Sequence, residues 1–176
     1  MGYKHTEEEI LQGALATAFE SGLSQLTFAR VAKTLGTSDR VVVYYFPSKD
    51  ELVSAVLMAV GLELQVTLGQ AFTEPSTNHH ELASKAWPVL SQPEADAVFA
   101  LFFEATGLAA AGREPYASLV PQLIEAWISW AAEFIQSAPD PRGEAAAAIA
   151  MIDGLLLLRQ TAGPEEADRA ASRLGL

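Results

Sequence analysis

The chain has no cysteine, which excludes disulfide staples, thiol nucleophiles and cysteine-ligated zinc and suits a reducing, cytoplasmic setting. Histidine is scarce as well. Two of the three, His79 and His80, are adjacent, and neighbours on a helix point apart, so they make a poor metal pair and are expected at the surface. No Gly-x-Ser-x-Gly elbow, phosphate-binding glycine loop or metal-spaced cluster of His and acid occurs, so the sequence predicts no enzyme, no catalytic residue, no metal and no cofactor. No apolar run follows a basic start ahead of Thr6, so no signal peptide is expected. The stretch from Ala145 to Leu158 is strongly apolar but short of the roughly 20 residues that a membrane span requires, and Asp153 interrupts it. A buried or subunit-facing helix accounts for it better than a membrane does.

Positive charge is the last shortage: 11 Lys and Arg stand against 22 Asp and Glu, a net charge of −11. Its distribution is uneven. Up to Asp50 five basic residues (Lys4, Arg30, Lys33, Arg40, Lys49) nearly balance six acids, so almost all the excess lies in the remainder of the chain. An acidic body held away from a polyanion repels it only weakly at physiological salt, where the screening length is about 8 Å. It also suppresses non-specific binding.

What is present begins with residues 27–52, TFARVAKTLGTSDRVVVYYFPSKDEL. Thr27 can cap a helix whose apolar positions Phe28, Val31, Ala32 and Leu35 share one face. Gly36 ends it, because glycine tolerates the positive φ that a turn after a helix commonly needs, and Ser38 can cap a second helix. Beyond Pro47, Ser48 and Glu51 form a capping box for a third, longer helix. The run VVVYYF has strand propensity. No second such run exists to pair with it, and an unpaired strand leaves backbone groups unsatisfied, so the helical reading is preferred. Two helices at a steep angle around a short glycine turn make a helix-turn-helix, whose second helix enters the major groove of DNA.

At Thr27, Val31-Ala32, Leu35-Gly36, Ser38, Tyr44-Tyr45-Phe46 and Ser48-Lys49-Asp50-Glu51-Leu52 the sequence resembles the amino-terminal signature of the TetR family of transcriptional regulators. The resemblance covers about the first third of the chain. It departs at Arg40, where many relatives carry glycine or proline, and at Val43, where a further tyrosine is common. It implies that Thr27, Tyr45 and Lys49 contact phosphates and Tyr44 a phosphate or sugar, and that Ser38, Asp39, Arg40 and Val41 read bases. Among the four readers, Arg40 is suited to guanine O6 and N7, and Val41 to a thymine methyl. Val42 and Phe46 are assigned to the core, and at least one of Tyr44 and Tyr45 is expected to pack inside.

The fold expected is all-α: a helix-turn-helix DNA-binding domain over residues 1–50 and a larger helical domain for effector binding and dimerisation over residues 51–176. Thr6 and Glu9 make a capping box for a first helix reaching Gly22. The helix from Ser48 runs toward Gln70, residues 74–78 form a loop, and further helices span about 80–90, 94–111, 116–137 and 145–161, with 139–143 as a turn. Pro164 opens a short last helix. Aromatic residues Trp87, Phe99, Phe102, Phe103, Trp127 and Trp130 have the composition of an apolar pocket, and Glu104 beside two of them could meet a cationic or hydroxylated ligand. Plain core is the competing account of the aromatics, and a solvated position that of Glu104.

The expected mechanism is a homodimer, paired through the last two long helices as the resemblance implies. Its two recognition helices, about 34 Å apart, read a near-palindromic double-stranded operator. A small hydrophobic effector binding the body then releases repression by population shift. The rival is a helical protein-interaction module whose helix-turn-helix-like head binds DNA weakly or without specificity.

Overall fold

A computed structural model describes residues 5–176; Lys4, counted above among the head's basic residues, lies outside them. Among the described residues the architecture is all-α, as expected, and the strand-like run VVVYYF is helical. The elements are α1 (Glu7–Ser21), a 3-10 turn (Leu23–Gln25), α2 (Phe28–Leu35), α3 (Asp39–Tyr45), α4 (Lys49–Gly69), α5 (His79–Leu90), α6 (Pro93–Ala110), α7 (Tyr116–Ala132), α8 (Pro141–Ala162) and α9 (Pro164–Leu174). They form two compact units. The first takes in residues up to Leu62 together with 101–120, the second 63–100 with 121–176.

In the first unit α1 is fixed at its start by the expected capping box, with Glu9 N–H donating to Thr6 Oγ1 and Thr6 N–H to Glu9 Oε2. Its buried stripe of Ile10, Ala14, Leu15 and Ala18 packs on α2. Gly13 permits the closest approach. A Cβ there would sit 2.6 Å from Leu35 Cγ, so α2 docks its last leucine against bare backbone.

In the second unit α8 packs against α5 and α9. Two boundaries differ from the sequence reading. Pro141 is not in a turn but opens α8, whose N-cap is Asp140 accepting from Gly143 N–H; proline lacks only a donor that the first helical turn leaves unpaired in any case. Helix α7 ends at Ala132 rather than Ser137, because the chain beyond it pairs with the loop after α4: Ser76 N–H donates to Phe134 O and Gln136 N–H to Ser76 O. Lys85 fastens the same loop, its Nζ donating to Glu74 O, Pro75 O and Ser76 Oγ. His79 and His80 do point apart, the first to Glu144 and the second to Leu174 O.

Helices α4 and α8 are long and apolar enough to cross a membrane by length and composition, with a third of each window buried. On α8 the buried residues Ala148, Ile152, Leu155, Leu156 and Arg159 line one side. Ala147, Ala150, Gly154 and Leu157 are exposed on the other. Asp153 lies between, and its carboxylate has no hydrogen-bond or ion-pair partner among the described residues; burial pushes it up to about 6.

Candidate nucleic-acid interface

Helix α2 starts where Thr27 Oγ1 accepts from Arg30 N–H. It ends at Gly36, whose φ of +64° is left-handed, with Thr37 N–H donating back to Ala32 O at 2.9 Å. That closing bond fixes the path into α3. Ser38 is the N-cap of α3 by backbone conformation, yet its side chain makes no capping bond, contrary to the expectation from sequence. Val42 is fully buried and Phe46, one turn on, is buried with it, both as expected.

The phase of α3 follows from that pair. Burying Val42 and Phe46 turns Ser38, Asp39, Arg40, Val43 and Tyr44 to the exposed side. Val41 is a correction to the sequence reading. At 9% exposure it packs inside, beside Val42, and is withdrawn from any reading surface. Val43, assigned no contact from sequence, is 39% exposed one turn beyond Asp39 and Arg40. The signal was available: Phe46 lies four residues after Val42, so the third valine of the run faces out.

Among the described residues Tyr44 is the most exposed aromatic of the head, and its ring meets that of Tyr45 edge-on at 4.9 Å. Tyr45 is half-buried, and its hydroxyl donates to His5 O at 2.6 Å, which ties the end of α3 to the approach of α1. One of the two tyrosines thus turns inward. Lys49, the first residue of α4, is exposed, and the box ahead of it is built from Glu51 N–H to Ser48 Oγ and Ser48 Oγ to Glu51 Oε1. Arg30, Lys33, Arg40 and Lys49 are all exposed and none has an acidic partner among the described residues.

The residues suggested for an effector fall into both units. In the second, Trp127 and Trp130 meet edge-on at 5.2 Å and Trp130 meets Phe134 at 4.9 Å. Phe72 completes this cluster, 4.9 Å from Phe134 and 5.8 Å from Trp130, though it stood out in no sequence pattern. Trp87 and Phe99 are each 6% exposed in the same unit. In the first unit Phe102 and Phe103 are half-buried neighbours 5.4 Å apart. Glu104, next to them, accepts from the Leu23 and Ser24 backbone and from Ser24 Oγ, so it is engaged within the protein rather than solvated. Among the described residues no cluster of three or more His, Asp or Glu is placed to hold a metal.

Residues 10–56 match the family model for bacterial regulatory proteins of the tetR family. No curated protein matches the chain. Among solved structures the chain is similar to a transcriptional regulator from Rhodococcus sp. Rha1, with a TM-score of 0.75 and 20% identity over 97% of this chain and 94% of that one. It is similar to the multidrug binding protein EbrR complexed with proflavin, with a TM-score of 0.65 and 22% identity over 96% and 98%. A TetR transcriptional regulator from Legionella pneumophila aligns at a TM-score of 0.63 and 20% identity over 97% and 95%.

Proposed function

We propose that this chain, which belongs to the TetR family of bacterial regulatory proteins, is a cytoplasmic repressor that binds a near-palindromic operator as a homodimer and releases it when a small molecule enters the body. The observation that carries the DNA-binding part is the outward face of α3 with Arg40, together with Arg30 and Lys33 of α2 and Lys49 of α4, none of them in an ion pair among the described residues. A guanidinium that makes no ion pair among the described residues is free to make the bidentate bond to guanine, and lysines at helix ends are free to neutralise phosphate. In this reading Arg40 reads a base, with Ser38 and Asp39 beside it and Val43, in place of Val41, against a thymine methyl. Thr27, Tyr44 and Lys49 hold the backbone. Tyr45 serves by bracing α3 through His5 and meets phosphate only at its edge.

The dimer reading is supported by the exposed strip Ala147, Ala150, Gly154 and Leu157 on α8, where two alanines and a glycine allow a second helix to come close and Leu157 offers apolar area. The effector reading is supported by the ring cluster of Phe72, Trp127, Trp130 and Phe134, and by the likeness to EbrR, which is a multidrug binding protein. Repression and release need no catalytic step from the chain. The test is a mobility-shift titration against the chain's own upstream DNA at several salt concentrations. Saturable, specific retardation with a negative salt slope is expected. Full affinity in an Arg40→Ala, Lys49→Ala double variant overturns the assignment of the interface.

A further inference from the structure

Within the first compact unit, a side chain from α6 reaches the turn that joins α1 to α2. Glu104 Oε2 accepts from Leu23 N–H at 2.8 Å, and Oε1 accepts from Ser24 N–H at 2.8 Å and from Ser24 Oγ at 2.5 Å. The 3-10 turn opens there with no side-chain cap of its own, so a carboxylate from another helix supplies the acceptors. Gly22 makes room for it: a Cβ there would stand 2.8 Å from Glu104 Oε2, and its φ of +82° is one that other residues rarely adopt. Burial pushes the Glu104 carboxyl up, but the bonds from Ser24 and Leu23 outweigh it and hold the group below the usual carboxylate range. The joint is made by an ionised group, and its three hydrogen bonds are charge-assisted.

What the joint holds is one end of α2. Ser24 stands three residues before Thr27, whose hydroxyl caps α2 and which meets a phosphate in the reading above. The other end of α2 is held separately, where Leu35 meets the bare backbone of Gly13, and the turn at Gly36 leads from there into α3. The eight residues of α2 span about 12 Å at 1.5 Å per residue. With Leu35 as the pivot, a shift of about 1 Å at the Thr27 end tilts a helix of that length by about 5°. Thr27 then moves relative to Arg40, which lies beyond the pivot. A phosphate contact and a base contact made to one duplex at the same time do not absorb such an error independently.

We propose that Glu104 is a positioning residue for DNA reading: by fixing the Leu23 and Ser24 amides it sets the placement of Thr27 against Arg40, so that phosphate and base are engaged together. Glu104 itself touches no DNA. The inference rests on the DNA-binding reading above and deepens it with a residue from outside the helix-turn-helix.

The test compares two affinities, for the chain's own upstream DNA and for a random-sequence duplex of equal length. Glu104→Gln keeps the size of the side chain but puts an NH2 where a second acceptor stood, so one of the two backbone amides loses its partner. Affinity for the upstream DNA should fall about ten-fold, within the range of coupled neighbours. Affinity for random DNA, which needs phosphate contacts in no fixed register, should change by less than about two-fold. A residue that only held the fold together would lower both alike through the folded fraction, which urea unfolding of the variant measures. Ser24→Ala removes the hydroxyl bond at an exposed position and should lower the ratio of the two affinities by a few-fold. The last measurement repeats Glu104→Gln in an Arg40→Ala background: with the base contact gone, its further cost to upstream-DNA affinity should be under about three-fold. An unchanged ratio in folded Glu104→Gln, or in Ser24→Ala should Glu104→Gln unfold, overturns the proposal and leaves the DNA-binding reading standing. So does the full ten-fold loss in the Arg40→Ala background. A parent protein with no preference for its upstream DNA removes that reading, and the proposal with it.

Discussion

The basic residues of the head and of the body are treated differently by the fold. In the head, Arg30, Lys33, Arg40 and Lys49 are exposed and unpaired among the described residues. In the body, Lys85 pairs with Glu81, Arg142 with Glu125, Arg159 with Asp96 and Arg169 with Glu166. Arg113 and Arg173 are the exceptions. Acids outnumber bases in the body, so a cation there finds a partner, whereas in the head Glu9 is taken up by the Thr6 backbone, and Asp39 and Asp50 stand next to Arg40 and Lys49 in sequence without pairing with them. A strongly acidic protein can therefore present a cationic surface to a polyanion. Net charge describes the solubility of the whole, not the field at one face.

The contrast can be broken from either side. The largest effect is expected in the body at Asp96→Ala, which leaves the 6% exposed Arg159 guanidinium without the carboxylate that now meets its Nε at 2.5 Å. Stranding a buried charge costs about 3 kcal/mol or more. Urea unfolding should show that loss, and operator affinity measured below the melting temperature should be unchanged. Next is Arg40→Ala in the head, where the order reverses: stability within about 0.5 kcal/mol of the parent, and specific DNA affinity lower by about 1–3 kcal/mol, read by competition against operator variants. A loss shared equally by all sequences would move Arg40 from base to phosphate.

Asp153→Asn sharpens the comparison through an unpaired acid. Its folded pKa, about 6, lies above the ordinary aspartate value of 3.8, so the folded state binds the extra proton between those values and stability falls as pH rises through that window. The asparagine variant should be more stable than the parent by about 1–2 kcal/mol at pH 7.5, with the gain shrinking as pH falls from 6 toward 4 in paired thermal melts. The smallest effect belongs to Arg169→Ala, which removes an exposed pair one turn apart on α9. It should change stability by less than about 0.5 kcal/mol at any salt concentration.

Much of the head was legible because its determinants are local. Thr6 with Glu9, Thr27, Gly36 and Ser48 with Glu51 each act within one turn of helix, and each is found in the role its spacing indicates. Three consecutive valines hid the phase of α3, since composition cannot choose among identical residues. Only Phe46 distinguishes Val42 as inward and Val43 as outward. The Glu104 joint was not legible at all: the main-chain amides it binds lie 81 and 80 residues away and have no signature in a side-chain pattern. The end of α7 was missed for the same reason, its register being broken by backbone pairing with Ser76. Aromatic content indicated the Trp127 and Trp130 pair, while Phe72 joins it from the loop after α4, where periodicity is silent.

That loop has a consequence for how the chain meets proteases. Residues 73–78 are polar around a proline, follow a long helix and are exposed except for Ser76, the profile of a segment that a protease nicks first. Cleavage requires several residues of backbone to be drawn out into an enzyme's cleft. Here the Ser76 N–H and carbonyl are paired with the chain after α7, and the carbonyls of Glu74 and Pro75 are held by Lys85. The backbone pairing at Ser76 and the Lys85 amine thus hold this stretch together, from two sides, against being drawn into a protease cleft.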